Sequence, residues 1–243
     1  LTAEDVPRNE LLAGLPGRMS DAGEGAHTAF HQILAGDRVR YLGEPVALVA
    51  AETEAAADEA LARVAVDYEP LPFVMDPEEA FDPSSTPVHA DHGSNVLFHR
   101  QFVWGDVDAD FAAAENELSF RVRWNRNSAV PIETFGVIAS WDPGTEILDV
   151  WASIQMPKYH DQIARALGIP GNAVRVHYDV DVGGSYGVKR GIKQSVVASY
   201  LARKLGTPVR LIEDRLENMT GGDAHGPDRI FDVAVAFSGK GLV

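Results

Sequence analysis

The 243-residue chain contains no cysteine. This excludes disulfides, Cys-ligated zinc and iron–sulfur clusters held by the chain itself. No apolar run approaches the roughly 20 residues that a membrane-spanning helix needs. Basic residues are scarce, 21 against 36 acidic ones, for a formal charge of −15. No basic stripe marks a nucleic-acid surface, and the acidity reads as a solubilising surface. The N-terminus, Leu1-Thr2-Ala3-Glu4-Asp5, has no targeting pattern and no initiator Met, so a processed or truncated start is expected, with a cytoplasmic location. The eight histidines have no metal-ligand spacing: His89 and His92 sit in a linker-like stretch, and His27 and His31 in a loop-like one.

What remains is an ordinary globular composition, 45% hydrophobic and 23% charged, on a chain long enough for one large or two medium domains. Residues 1–35 are irregular and rich in Gly, Ala and Asp. Val39 to Ala50 reads as strand, turn at Gly43-Glu44-Pro45, strand. Thr53 is the expected N-cap of a helix to about Arg63, and Val64 to Tyr68 is expected to return to strand. Asp76 to Asn95, with Pro77, Pro83, Pro87 and Gly93, reads as a linker. Beyond it, strands are expected at Leu118–Trp124, Glu146–Ser153, Val174–Val182, Val209–Ile212 and Phe231–Phe237. Helices are expected at Pro157–Leu167, stopped by Gly168, and at Gly191–Leu205, closed by Gly206. Ser238-Gly239-Lys240-Gly241 is a hairpin turn whose second strand has just begun at Leu242, the mark of a fragment. The class is α+β, with domains at 1–80 and 98–243 joined by a linker at 81–97.

Three segments draw attention chemically. Gly183-Gly184-Ser185-Tyr186-Gly187 lies between a strand and a helix. Its glycines permit positive φ and close backbone approach, and its amides suit an anionic group, although such a turn alone is weak evidence. Gln155, at a strand-to-helix junction, is either a helix cap or a neutral hydrogen-bonding group at a site. Glu133, in the largely apolar Val130–Gly136, must be paired or functional, with Arg126 as the suggested partner. The same glycine-rich turn also fits Gly-x-Ser-x-Gly, which raises the alternative of a serine hydrolase with Ser185 as nucleophile and His225 as base.

Taken in order, further segments resemble one family. Val39-Arg40-Tyr41-Leu42-Gly43-Glu44-Pro45-Val46-Ala47 and Val66-Asp67-Tyr68-Glu69-Pro70 resemble the small α/β hammerhead domain of the xanthine dehydrogenase/aldehyde oxidase/carbon monoxide dehydrogenase family. Pro131-Ile132-Glu133, Gln155, Gly183 to Lys189 and Glu213-Asp214-Arg215 to Asn218 resemble segments of its large, molybdopterin-binding subunit. The resemblance implies a hammerhead domain followed by the first part of a molybdopterin-binding domain. It implies a molybdenum–molybdopterin cofactor, in some relatives a cytosine dinucleotide form, with iron–sulfur clusters and FAD on partner chains. The implied reaction is hydroxylation of an aldehyde, N-heterocycle or carbon monoxide with oxygen from water, and the family's catalytic Glu and later cofactor loops lie outside this sequence. By resemblance Gln155 is the catalytic-site amide, hydrogen-bonded to an oxo ligand, and Gly183, Gly184, Ser185, Tyr186 and Gly187 bind the cofactor. Glu133 and Arg190 are candidate substrate contacts. Ser185 and Tyr186 stand where the family has Gly and Phe. Arg190 stands where purine-oxidising relatives carry Glu, which argues against a xanthine-like substrate. The implied partners are the remainder of the large subunit, an iron–sulfur subunit and an FAD subunit. A non-catalytic module of the same fold is a third alternative.

Overall fold

The computed structural model describes residues 1–6, 33–97, 99–178, 181–190, 192–221, 226–239 and 241–242. The described residues fall into two compact units. One takes in those of 1–73 together with 128–221; the other takes in 74–127 and 226–242. The class is α+β, as the alternation of patterns predicts.

In the first unit, helix α1 (Glu54–Leu61) starts where the sequence places it. The Thr53 hydroxyl caps it by accepting from the Ala56 N–H at 3.2 Å. The flanking segments, expected as strands at Val39–Ala50 and Val64–Tyr68, carry no ladder among the described residues. Leu48 exchanges two hydrogen bonds with Leu1, at 2.8 and 2.9 Å, and Ala35 donates to Pro45 O at 2.7 Å. Alternation of side chains is a local property, whereas a strand needs a second strand to pair with, and the pattern does not name one.

The second helix expected by sequence, the parallel crossover and the sheet lie further along this unit. Strand β2 (Gly136–Asp142) pairs antiparallel with β3 (Ile147–Ala152). Helix α4 (Tyr159–Leu167) then carries the chain to β4 (Val174–His177), which lies parallel to β3. A helix is the usual way to join parallel neighbours. Helix α5 (Lys193–Leu205) leads to β5 (Val209–Ile212), antiparallel to β2, and the sheet order is β4-β3-β2-β5. Strand β2 was not anticipated, because Gly136, Ala139 and Ser140 dilute its β-branched character. Its alternate residues Val137 and Ala139 point into the core with Leu148, Val150 and Ala152 of β3. Onto that face pack Tyr159, Ile163 and Ala164 of α4, and Val196, Val197 and Leu201 of α5. Each large aliphatic side chain so buried contributes about 1.5–3 kcal/mol. Val6, Ile33 and Leu34, from the stretch read as irregular, join the same cluster.

The second unit holds α2 (Pro77–Phe81), α3 (Val107–Ala113) and a sheet in the order β1-β6-β7, from β1 (Asn116–Trp124), β6 (Arg229–Ser238) and β7 (Gly241–Leu242). The turn expected at 238–241 does join a hairpin, with Phe237 opposite Leu242. Helix α2 falls inside the stretch read as linker. The Asp76 carboxylate caps it from Glu78 N–H at 2.8 Å, with Pro77 at the first helical position. Arg121 of β1 grips Asp232 of β6 through two nitrogens, at 2.6 and 2.8 Å, and reaches Glu78 of α2 at 2.8 Å.

Candidate functional site

The three segments singled out by sequence come together in the first unit. Residues 131–133 and 182–184 run side by side: Glu133 N–H donates to Gly183 O at 3.4 Å, and Gly183 N–H returns to the Glu133 carboxylate at 2.8 Å. Only glycine fits at 183, where a Cβ would sit 2.6 Å from the Glu133 Cβ. The turn then bends through three positive-φ residues, Gly184 (91°), Tyr186 (53°) and Gly187 (105°). For Tyr186, a bulky residue, the left-handed region costs about 1–2 kcal/mol, and strain of this kind concentrates at functional sites. Its ring is exposed.

The carboxylate of Glu133 is paired, but not with Arg126. Its cation is Lys189, whose side chain is 0% exposed while that of Glu133 is 40% exposed. Arg126 instead uses its backbone N–H on Asp228, at 2.6 Å. Burial pushes the Glu133 carboxyl upward, but the Lys189 hydrogen bond, the Gly183 N–H and the ammonium charge outweigh it and hold it below its ordinary value of 4.5. Lys189 is the ion-pair partner that spacing alone overlooks. A lysine following a glycine turn is commonplace, and only the fold shows it to be enclosed.

Gln155 follows β3, and its backbone N–H donates to Lys189 O at 3.3 Å. Its side-chain Oε1 accepts from the Ser185 hydroxyl and from Gly187 N–H at 3.3 Å. Because a backbone N–H can only donate, the atom facing Gly187 is the oxygen, and the amide orientation is fixed. Among the described residues, Nε2 of Gln155 and the N–H groups of Ser185 and Tyr186 have no acceptor. Ser185 Oγ in turn accepts from Lys189 N–H at 3.1 Å.

The loop carrying Glu133 is held from behind by residues 213–218. Arg215 donates to Pro131 O at 2.8 Å and to Ile132 O at 2.6 Å. The buried Glu213 carboxylate accepts from Phe135 N–H at 3.1 Å and Asn218 Nδ2 at 2.8 Å. Helix α6 (Arg215–Gly221) opens with a reciprocal capping box: Asp214 N–H donates to Glu217, and Glu217 N–H to Asp214, at 2.8 and 2.7 Å.

The site therefore gathers Gln155, Gly183, Gly184, Ser185, Tyr186, Gly187 and Glu133. Arg190 closes a 3-10 turn at Val188–Arg190, and its side chain lies outside the described part of the structure, as does His225. A nucleophile elbow is not favoured. The Ser185 proton points to a carbonyl oxygen, which cannot take it, and no described histidine contacts Ser185. The donor set, the Gln155 amide nitrogen with the N–H groups of Ser185 and Tyr186, fits an electron-rich, oxygen-bearing group such as a molybdenum–pterin cofactor. No cluster of described His, Asp or Glu residues is arranged to hold a metal directly, and no described helix is long and apolar enough to cross a membrane.

The sequence pattern of the molybdopterin cofactor-binding domain matches residues 88–243, and that of the aldehyde oxidase and xanthine dehydrogenase a/b hammerhead domain matches residues 1–72. The chain is 35% identical over 216 residues to the 6-hydroxypseudooxynicotine dehydrogenase complex subunit gamma of Paenarthrobacter nicotinovorans, covering 88% of this chain and 26% of that protein. It is 33% identical over 244 residues to the nicotine 6-hydroxylase large subunit of the same organism, covering 100% of this chain and 29% of that one. Quinoline 2-oxidoreductase from Pseudomonas putida 86 superposes with a TM-score of 0.79 at 30% identity, over 98% of this chain and 31% of that structure. The chain thus spans between a quarter and a third of the length of these relatives. Matched along nearly its whole length, it belongs to the aldehyde oxidase and xanthine dehydrogenase family, carrying hammerhead and molybdopterin cofactor-binding sequence.

Proposed function

We propose that this chain is the part of a molybdenum hydroxylase large subunit that receives one side of the cofactor, with a hammerhead domain at 1–80 joined by a linker at 81–97 to the molybdopterin-binding sequence at 98–243. The observation that carries the reading is the fixed polarity of Gln155. Its oxygen is occupied by Ser185 and Gly187, and its amide nitrogen is left to donate beside the free N–H groups of Ser185 and Tyr186. When bound, a molybdenum–molybdopterin group, in its plain or cytosine dinucleotide form, supplies the two-electron redox and oxygen-insertion chemistry. Gln155 would donate from its amide nitrogen toward an acceptor on that group. The 183–187 turn would offer its backbone N–H groups to it, and Gly184 and Gly187 supply the positive φ that the turn needs. Glu133 and Lys189 neutralise one another and hold the turn's first residue in place.

The substrate class that best fits is an N-heterocycle hydroxylated with oxygen from water. Two of the relatives are named for nicotine or a nicotine derivative and one for quinoline. Arg190, in the turn that follows, is proposed to face an acidic or electron-rich group of the substrate. Carbon monoxide oxidation is the second reading, favoured by 33% identity to the carbon monoxide dehydrogenase large chain of Hydrogenophaga pseudoflava. Electrons would leave to iron–sulfur and FAD partners in a cytoplasmic assembly; these 243 residues offer no cysteine to ligate a cluster.

The test is elemental analysis and mass spectrometry of the assembly purified from its native source. Molybdenum and iron together with co-purifying iron–sulfur and flavin subunits support the reading. A metal-free protein without such partners overturns it.

A further inference from the structure

The polarity of Gln155 depends on one side chain more than on the rest of the turn. An amide oxygen has two lone pairs. At Gln155 one is filled by Gly187 N–H at 3.3 Å and the other by the Ser185 hydroxyl. The hydroxyl is itself oriented, because Lys189 N–H donates to the Ser185 oxygen at 3.1 Å and so turns its single proton toward Gln155. The chain Lys189 N–H to Ser185 to Gln155 therefore runs in one direction only. The backbone that begins it is pinned by the enclosed Lys189 side chain on Glu133. A glycine at position 185 would leave the second lone pair to solvent and the amide held by one long hydrogen bond.

We infer that Ser185 is a positioning residue that fixes Gln155 as a hydrogen-bond donor, so that this amide meets only acceptor groups in the site. This rests on the reading above that Gln155 faces the cofactor. It gives Ser185 a role in tuning rather than in nucleophilic attack. A donor held against an oxygen of a metal centre stabilises the more electron-rich, reduced form, because that oxygen is then the stronger acceptor. Releasing the amide lowers the midpoint potential. It also slows turnover in the step where electron density reaches the metal, while substrate binding, which uses other groups, is left nearly as it was.

The experiment uses the full-length enzyme assembled with its partners, in four forms besides the parent: Ser185→Ala, Ser185→Thr, Gln155→Ala and the double variant with both alanines. Molybdenum content and the metal's midpoint potential in a dithionite titration are measured first. Then kcat and KM are determined with whichever of benzaldehyde, quinoline and nicotine the parent oxidises. The expected result is that Ser185→Ala keeps its molybdenum, has a lowered potential and loses about five- to tenfold in kcat, the equivalent of one hydrogen bond. KM stays within about twofold, and Ser185→Thr, which keeps the hydroxyl, restores both quantities. In the Gln155→Ala background the serine substitution adds nothing. If Ser185→Ala has the parent's potential and kcat, or shifts them by the same amount when Gln155 is already absent, the positioning role is overturned while the reading of the site stands. If Gln155→Ala itself leaves potential and kcat at parent values, it is the placement of Gln155 against the cofactor that fails.

Discussion

At the scale of single residues, the ion pair of Glu133 and Lys189 is asymmetric, and the asymmetry predicts which half matters more. Lys189 has no exposed side-chain surface, whereas Glu133 is 40% exposed and keeps a second donor in Gly183 N–H. Glu133→Gln strands an enclosed ammonium opposite a neutral amide. Lys189→Met leaves a carboxylate that water and Gly183 still satisfy, and fills the buried volume with an apolar chain. Leaving an enclosed charge without its partner is costly, though less than the about 3–5 kcal/mol of a fully buried pair because Glu133 is 40% exposed, and replacement by a well-packed apolar residue costs much less. Urea unfolding is therefore expected to show Glu133→Gln as clearly the less stable of the two variants; the reverse order would mean that the ammonium finds another partner. The presence of Glu133 at a chemically important position was legible from sequence, because a carboxylate in an apolar stretch demands explanation. Its partner was not. Lys189 lies 56 positions away, and nothing in local spacing ranks it above Arg126.

Among the elements, those with purely local signals matched the sequence closely. The Thr53 cap of α1, the turn that closes β6 against β7 and the end of α4 at Gly168 all follow from residues within a few positions of one another. Elements that depend on distant partners did not: the flanks of α1 carry no ladder among the described residues, and β2 becomes a strand because β3 and β5 lie on either side of it. The segment 213–218 was recognised as a motif, but its work of holding the 131–135 loop needed the fold. Its capping box makes a prediction. Asp214→Ala removes one of the two reciprocal bonds and costs about 1 kcal/mol of stability, seen as a lower thermal midpoint. Asp214→Asn, which can still accept, recovers most of the loss. A larger effect is expected at the turn of Gly43, where φ is +85° and a Cβ would lie 2.4 Å from the Gly221 Cα at the end of α6. The atoms that the Cβ would meet are all backbone, so no side chain can swing away to make room. Gly43→Ala combines left-handed strain with overpacking, about 2–4 kcal/mol together, and the purified variant should unfold at a distinctly lower temperature than Asp214→Ala. Equal midpoints for the two would show that the turn simply moves off the helix.

For the whole molecule, acidity sets up two opposed effects with different pH windows. At pH 7 the chain carries −15, and a net charge of that size weakens the compact state by self-repulsion. Lowering the pH toward the isoelectric point near 4.8 removes that repulsion, so stability rises or holds on the first limb. Below it the sign changes. Glu133, Asp76 and Asp232 have carboxyls held below their ordinary values of 4.5 and 3.8. For Glu133 burial is opposed and outweighed by Lys189 and Gly183; for Asp76 and Asp232 the guanidinium groups of Arg123 and Arg121 lead. A depressed carboxyl binds fewer protons folded than unfolded. Its contribution is complete above the unfolded value and is lost as pH falls through the folded one. Stability is therefore expected to decline below about pH 4.5, the ordinary value for Glu133. Salt separates the limbs. Screening acts strongly on dispersed surface charge and much less on the partly enclosed Glu133–Lys189 contact. Denaturation midpoints measured from pH 3 to 8 should therefore show a first limb flattened by 0.5 M salt, where the Debye length is only about 4 Å. The Glu133 share of the acid decline should persist in salt and vanish in Glu133→Gln. A decline wholly abolished by salt would assign acid sensitivity to the exposed arginine pairs of the β1–β6 sheet instead, and leave the site's own ion pair without influence on the pH response.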